Sequence, residues 1–169
     1  CHWWGPWATE ERCRAYGLDA GDFGPAFYGE AFARFPRAEG GAFNQIAEVI
    51  EQIKTNPTTR THFVSPWIPQ HLIGRHRRAT ITPCTGWMYF EVYDGGVSLC
   101  MTQRAGDVPL GVPFNTFQYA ALLLMVAHVT GLVPREFVHS MTAELRVEAI
   151  DAIGSLIGKL GTFLDREPI

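Results

Sequence analysis

Thr82-Pro83-Cys84-Thr85-Gly86, then Gln103-Arg104-Ala105-Gly106-Asp107, then Leu110-Gly111-Val112-Pro113-Phe114-Asn115: the reading of these segments decides the fold. They bring a thiol, a guanidinium and a carboxamide close together in sequence, between strand-like residues able to hold them rigidly. A thiol becomes a nucleophile only where nearby positive charge stabilises its thiolate. Arg104, Arg60 and the run Gly74-Arg75-His76-Arg77-Arg78 are sources of such charge. Arginine suits a bidentate phosphate contact. Asn115 offers a donor and an acceptor together, so one amide can read the N3–H and O4 edge of a uracil-type base. Plainer readings stand beside these. An isolated cysteine is most often buried and inert, the reading given to Cys100 in mid-strand. A basic run is usually a solvated turn, although beside an anionic ligand it would be a clamp.

Working outward, residues 79–83 and 87–93 read as strands broken near Cys84. Asp94-Gly95-Gly96 is a hairpin turn, and 97–103 is the return strand. Residues 117–129 form the longest apolar helix, too apolar for a surface position, closed by Gly131 and Pro134. Strand is expected over 137–147 and helix over 150–164. Upstream, 43–54 is an amphipathic helix, with Ile46, Val49, Ile50 and Ile53 recurring at 3 and 4. Asn56-Pro57 ends it. Residues 61–65 read as strand, 8–15 and 30–35 as short helices, and 36–41 as a loop. Hairpins mixed with long helices predict an α+β fold with a mixed sheet.

At 169 residues the chain reads as one domain, 1–169. With 47% apolar and 18% charged residues it is of globular composition. A net charge of -3 argues against nucleic-acid binding, which normally needs a basic face. No apolar run approaches the ~18 residues of a membrane span, and no signal peptide pattern is present. Cys1, Cys13, Cys84 and Cys100 fit no zinc spacing, so no metal is expected. Reduced thiols and a cytoplasmic location are the default. The chain opens on Cys1 and stops at Pro168-Ile169, and is expected to lack terminal segments of a longer protein.

Further short matches run in order along nearly the whole chain. They are Trp4-x-x-Trp7-Ala8, Gly24-Pro25-x-x-Tyr28-Gly29, Asn44-Gln45-Ile46, Asn56-Pro57-x-x-Arg60, Val64-Ser65-Pro66-Trp67, Tyr119-Ala120 and Arg166-Glu167-Pro168. With Pro83-Cys84 and the block from Gln103 to Asn115, this text resembles the thymidylate synthase family, which includes the pyrimidine nucleotide hydroxymethylases. The resemblance implies a thymidylate synthase-like fold and a homodimer in which sheet packs on sheet. It implies that a cysteine thiolate, Cys84, adds to C6 of a pyrimidine 5′-monophosphate. C5 then takes a one-carbon unit from 5,10-methylenetetrahydrofolate. By the same resemblance, Arg104 binds phosphate and favours the thiolate, Asp107 holds the base through its backbone N–H, and Asn115 reads the base edge. Tyr28 resembles the tyrosine that organises water near the thiol. Trp4 and Trp7 resemble tryptophans lining the folate site, and Arg60 would complete the phosphate site of the partner subunit.

Several positions depart from the family pattern. Thr85 stands where a histidine usually follows the cysteine, Ala105 where a serine follows the arginine, and Thr61 where a second arginine is usual. Leu145 and Val147 replace the His-x-Tyr that grips the sugar 3′-hydroxyl, and 140–147 lacks the Gly-Gly-Asp pattern. The glutamate that serves proton transfers is expected upstream of Cys1. Ala105 could leave room for a ribose 2′-hydroxyl, while Asn115 favours uracil over cytosine. Methylation and hydroxymethylation of a uridylate both remain open. So do a housekeeping synthase with a divergent sugar site, a CMP or dCMP hydroxymethylase, and a catalytically silent nucleotide-binding relative. A weaker rival is a cysteine peptidase or amidase pairing Cys84 with His128 or His139.

Overall fold

The computed structural model describes residues 4–107 and 111–142. Its centre is a four-stranded sheet, built from β3 (Phe63–Val64), β4 (Thr85–Tyr93), β5 (Gly96–Gln103) and β6 (Val133–Met141) in that spatial order. β3, β4 and β5 run antiparallel, while β6 lies parallel to β5. The sheet is therefore mixed, as expected. A parallel pair needs a long crossover, and the 20-residue helix α5 (Gly111–Thr130) supplies it. β4 and β5 meet at Asp94 and Gly95, whose φ angles of 48° and 67° suit a tight two-residue hairpin. Two two-residue strands, Phe35–Pro36 (β1) and Ala42–Phe43 (β2), pair as a small separate hairpin.

Strand alternation sorts the two faces of the sheet. Val64, Met88, Phe90, Leu99 and Met101 point inward and are buried, against Val49 and Ile53 of α3 (Gln45–Thr55) and Tyr119, Leu123, Val126 and Ala127 of α5. Each such side chain contributes roughly 1.5–3 kcal/mol of burial. On the opposite face Phe63, Tyr89, Cys100 and Val138 lie in register across all four strands. Phe63 is 51% exposed and its ring stacks on Trp87 at 5.7 Å.

α3 is held in place by its first residues. The Asn44 side chain accepts from Ala47 N–H at 3.0 Å and caps the helix. Gln45, almost fully buried, donates to the carbonyls of Ala31 and Ser65, both at 2.8 Å, and accepts from Ser65 N–H at 3.0 Å. One amide thus joins α2 (Tyr28–Ala33), α3 and the strand leading to the site.

Several expectations need correction. Residues 79–83 form no strand but a run of bends, for Arg77 and the close approach of Gly24 to Arg78 hold the chain elsewhere. A β-carbon on Gly24 would lie 2.1 Å from the Arg78 carbonyl oxygen, so only glycine allows that crossing. The segment 36–41 is the turn of the β1–β2 hairpin rather than a plain loop. The first helices are α1 (Glu10–Ala15), which starts two residues later than expected, and α2 (Tyr28–Ala33), which lies two residues earlier. The short helix α4 (Pro69–Leu72) was not anticipated. α5 starts at Gly111, taking in polar residues that hid its first turns, and so is long and apolar enough to cross a bilayer by length and composition. Its inner side packs on the sheet, while Phe117 (77%), Leu124 and Met125 are exposed among the described residues. β6 begins four residues before the expected strand. The helix expected over 150–164 lies outside the described residues.

Candidate active site

Cys84 sits at the entry to β4, where the β4–β5 register slips between Thr85 and Trp87. The slip is a bulge at Gly86, and bulges bend a strand and re-aim the side chains beside it. The Gly86 carbonyl accepts from Ser65 Oγ at 2.6 Å, which pins the bulge to β3. Both backbone groups of Cys84 are engaged. Its N–H donates to the Tyr28 hydroxyl oxygen at 2.6 Å. Its carbonyl accepts from Arg104 N–H at 2.7 Å and from Ala105 N–H at 3.3 Å. Three distant segments, α2, the β4 entry and the β5 exit, therefore close on one residue.

The Arg104 side chain returns to the same segment. Its Nη2 donates to Thr82 Oγ1 at 3.2 Å and its Nε to the Pro83 carbonyl at 3.4 Å. The guanidinium carbon lies 5.5 Å from the Trp67 ring centre, a cation–π arrangement. Of its five N–H donors, two make these bonds among the described residues. Trp67 is itself fixed by its indole N–H, which donates to the Thr85 carbonyl at 3.1 Å.

Thr85, which stands where the resemblance leads one to expect a histidine, faces the interior. It is fully buried and its Oγ1 lies 2.6 Å from the Tyr119 hydroxyl. Burial and the neighbouring Cys84 charge push the Tyr119 phenol up to about 12, against the pull of the Thr85 hydrogen bond. Burial, then the Cys84 charge, raises Tyr28 well above an ordinary phenol. Both phenols are thus neutral at working pH. The Tyr28 hydroxyl accepts from Cys84 N–H and also hydrogen-bonds with the Cys84 side chain, so phenol and thiol are direct neighbours.

Asp107 and Asn115 both lie near Gly111 at the start of α5. The Asp107 carbonyl accepts from Val112 N–H at 2.8 Å. A β-carbon on Gly111 would lie 3.5 Å from Asp107 Cβ and 3.8 Å from Asn115 Oδ1, ordinary contact distances that place both side chains beside the helix start. Ala105 is half-buried beside Arg104, and its carbonyl accepts from Gln103 Nε2 at 2.8 Å.

Not every expected residue joins this cluster. Arg60 is exposed in the turn between α3 and β3. Trp4 and Trp7 are exposed and meet edge to face at 5.6 Å, with Arg12 over Trp7. Among the described residues no hydrogen bond or ring contact ties these three to Cys84. The basic run is partly structural, since Arg77 donates to the Ala79 carbonyl at 2.9 Å and covers the Tyr16 ring. Two clefts of ≈ 470 and ≈ 510 Å³ lie beside the Gly24–Pro25 loop and along α3, and neither is lined by Cys84, Arg104 or Asn115. His128 is exposed on α5 rather than held in the core, and His139 is hydrogen-bonded to Gln103 and Thr116, so neither is paired with the thiol. Cys100 is only half-buried on the outer face, and burial raises its thiol.

Sequence reasoning gave no role to Thr82, Trp67 or the Thr85–Tyr119 pair. One signal was present, for a tyrosine inside an apolar helix requires a partner for its hydroxyl. A family model described as thymidylate synthase matches residues 1–147.

Proposed function

The chain belongs to the thymidylate synthase family, and from that premise we propose that it transfers a one-carbon unit to C5 of a uridine-type 5′-monophosphate. Membership supports one-carbon transfer to a pyrimidine nucleotide in general, with methylenetetrahydrofolate as the family's donor. The observation that carries the reading is the closure of Tyr28, Cys84 and Arg104 on one another through Cys84's own backbone. A nucleophile fixed at both peptide groups loses little freedom when it attacks.

In this reading the Cys84 thiolate adds to C6, and the electron pair of the C5–C6 bond moves onto C5. The guanidinium of Arg104 takes the phosphate. The backbone N–H of Asp107 and the amide of Asn115 hold the base by its edge. Tyr28, neutral and in contact with the Cys84 side chain, helps order a water next to the sulfur. Ala105, lacking a hydroxyl, leaves space for a ribose 2′-OH. The paired indoles of Trp4 and Trp7 offer apolar rings to a flat heteroaromatic, which fits the pterin end of the folate. When bound, the folate supplies the carbon that C5 receives.

The same proposal makes the protein a homodimer. The in-register row of Phe63, Tyr89, Cys100 and Val138, extended by Trp87, supports a sheet-to-sheet contact. Arg60 would then reach the partner's phosphate site. A cytoplasmic location and the absence of nucleic-acid and membrane partners belong to this proposal too. Tritium release from [5-³H]UMP, dUMP, CMP and dCMP, with methylenetetrahydrofolate present, tests it. Release from UMP or dUMP above the cytosine nucleotides is expected. No release from any of the four would overturn the catalytic reading in favour of a silent nucleotide binder. Product mass distinguishes methyl from hydroxymethyl.

A further inference from the structure

We propose that His139 is a positioning residue, a cross-tie that sets the distance between the phosphate-binding and base-reading ends of the site. This rests on the reading of Arg104 and Asn115 given above. His139 lies on β6, in the inward row with Val64, Met88 and Met101. Its ring spans two elements. Nε2 lies 2.7 Å from Gln103 Oε1 and Nδ1 lies 3.1 Å from Thr116 Oγ1. Gln103 immediately precedes Arg104 at the end of β5, and Thr116 immediately follows Asn115 on α5. One imidazole therefore joins the residues next to both proposed ligands of the nucleotide.

The orientation of the tie is fixed at each end. Gln103 is fully buried, and its Nε2 is committed to the Ala105 carbonyl at 2.8 Å, which turns Oε1 toward His139. His139 must then carry its proton on Nε2 and donate it to Gln103. Burial favours that neutral ring. Nδ1 is left to accept, and the Thr116 hydroxyl shares its single proton between Nδ1 and the Val112 carbonyl at 2.9 Å.

The packing shows how little slack the joint has. A β-carbon on Gly106 would lie 2.7 Å from Gln103 Nε2, 2.7 Å from Val112 Cγ2 and 2.9 Å from Met141 Sδ. The loop after Arg104, the start of α5 and the end of β6 meet where not even a methyl group fits. The Arg104 carbonyl also accepts from Thr142 Oγ1, and Thr142 N–H donates to the Gln103 carbonyl at 3.1 Å. Removing the imidazole takes away the link between Gln103 and Thr116, so the span from the arginine to the asparagine is less tightly fixed.

The test measures UMP and CMP binding by calorimetry for wild type and for His139→Leu, His139→Gln and His139→Asn, each checked for folding by thermal melting. The glutamine can reach the Gln103 side and the asparagine the Thr116 side. His139→Leu should weaken UMP binding about tenfold, the effect of a lost hydrogen bond and a shifted partner, and narrow the UMP to CMP ratio. His139→Gln should restore most of both. A purely structural role would lower the melting temperature without changing the ratio. Unchanged UMP affinity and ratio in folded His139→Leu, while Arg104→Ala and Asn115→Asp still alter them, would overturn this inference alone. If His139→Leu fails to fold, the same comparison on folded His139→Gln and His139→Asn decides it, and wild-type values in both would overturn it. No effect of Arg104→Ala or Asn115→Asp would overturn the site reading beneath it.

Discussion

At the scale of single residues, the site is built by neighbours of the chemical groups. Cys84 is held by its peptide groups and Arg104 by Thr82 and Trp67, while Asn115 lies in the second turn of α5 near Gly111. The departure at position 85 has a physical outcome here. A threonine there pairs with the buried Tyr119 hydroxyl at 2.6 Å and ties β4 to α5. Specificity then falls on Asn115. Its amide can donate to O4 and accept from N3–H of a uracil, whereas a carboxylate only accepts and suits the exocyclic amine of a cytosine. Asn115→Asp is expected to move the UMP to CMP preference toward CMP by at least tenfold, read as relative kcat/KM for tritium release. An unchanged base preference would show that this side chain does not face the base.

At the scale of elements, the joints matter more than the lengths of helices and strands. Gln45 is the clearest case, since its amide makes three hydrogen bonds that tie α2, α3 and the residue after β3. Gln45→Leu keeps the volume but leaves two carbonyls and an N–H without their partner. It should cost roughly 3 kcal/mol in urea unfolding, and a loss under ~0.5 kcal/mol would mean that the joint is not needed. Much of this scale was legible in the sequence. The 3-and-4 spacing of Ile46, Val49, Ile50 and Ile53 and the Asp94-Gly95 turn each reflect a local rule, and α3 and β5 formed within two residues of the expected bounds. Residues 79–83 did not, because the crossing of Gly24 over Arg78 is a tertiary contact with no local signature. The start of α5 was hidden for a related reason, since Pro113 and Asn115 read as loop until the Asp107 carbonyl is seen to accept from Val112 N–H. The Cys84, Arg104 and Asn115 neighbourhood was legible as a pattern of residue types, whereas Thr85–Tyr119 and His139 became visible only once strands were in register.

At the scale of the whole molecule, a mixed sheet carries the site at one end and presents an aromatic row on its outer face. Its acid sensitivity follows from histidines that fold into less polar surroundings. Burial, and then the Arg78 charge, lowers His71 below its ordinary 6.5, and burial alone lowers His139. In the unfolded chain both take up a proton near 6.5, while the folded protein resists until lower pH. The unfolded state therefore binds more protons in that window, and stability falls as pH drops through it. The melting temperature should decline from about pH 6.5 downward, less steeply in His139→Gln, and a rise on acidification would contradict the assignment. The central claim is that the sulfur of Cys84 attacks C6 of a nucleotide gripped by Arg104. Intact-protein mass spectrometry after incubation with 5-fluoro-UMP or 5-fluoro-dUMP and methylenetetrahydrofolate tests it most directly, because fluorine at C5 cannot leave as a proton does. A covalent adduct on wild type that disappears in Cys84→Ala is predicted; no adduct with either analogue, or an adduct that persists without the thiol, would contradict it.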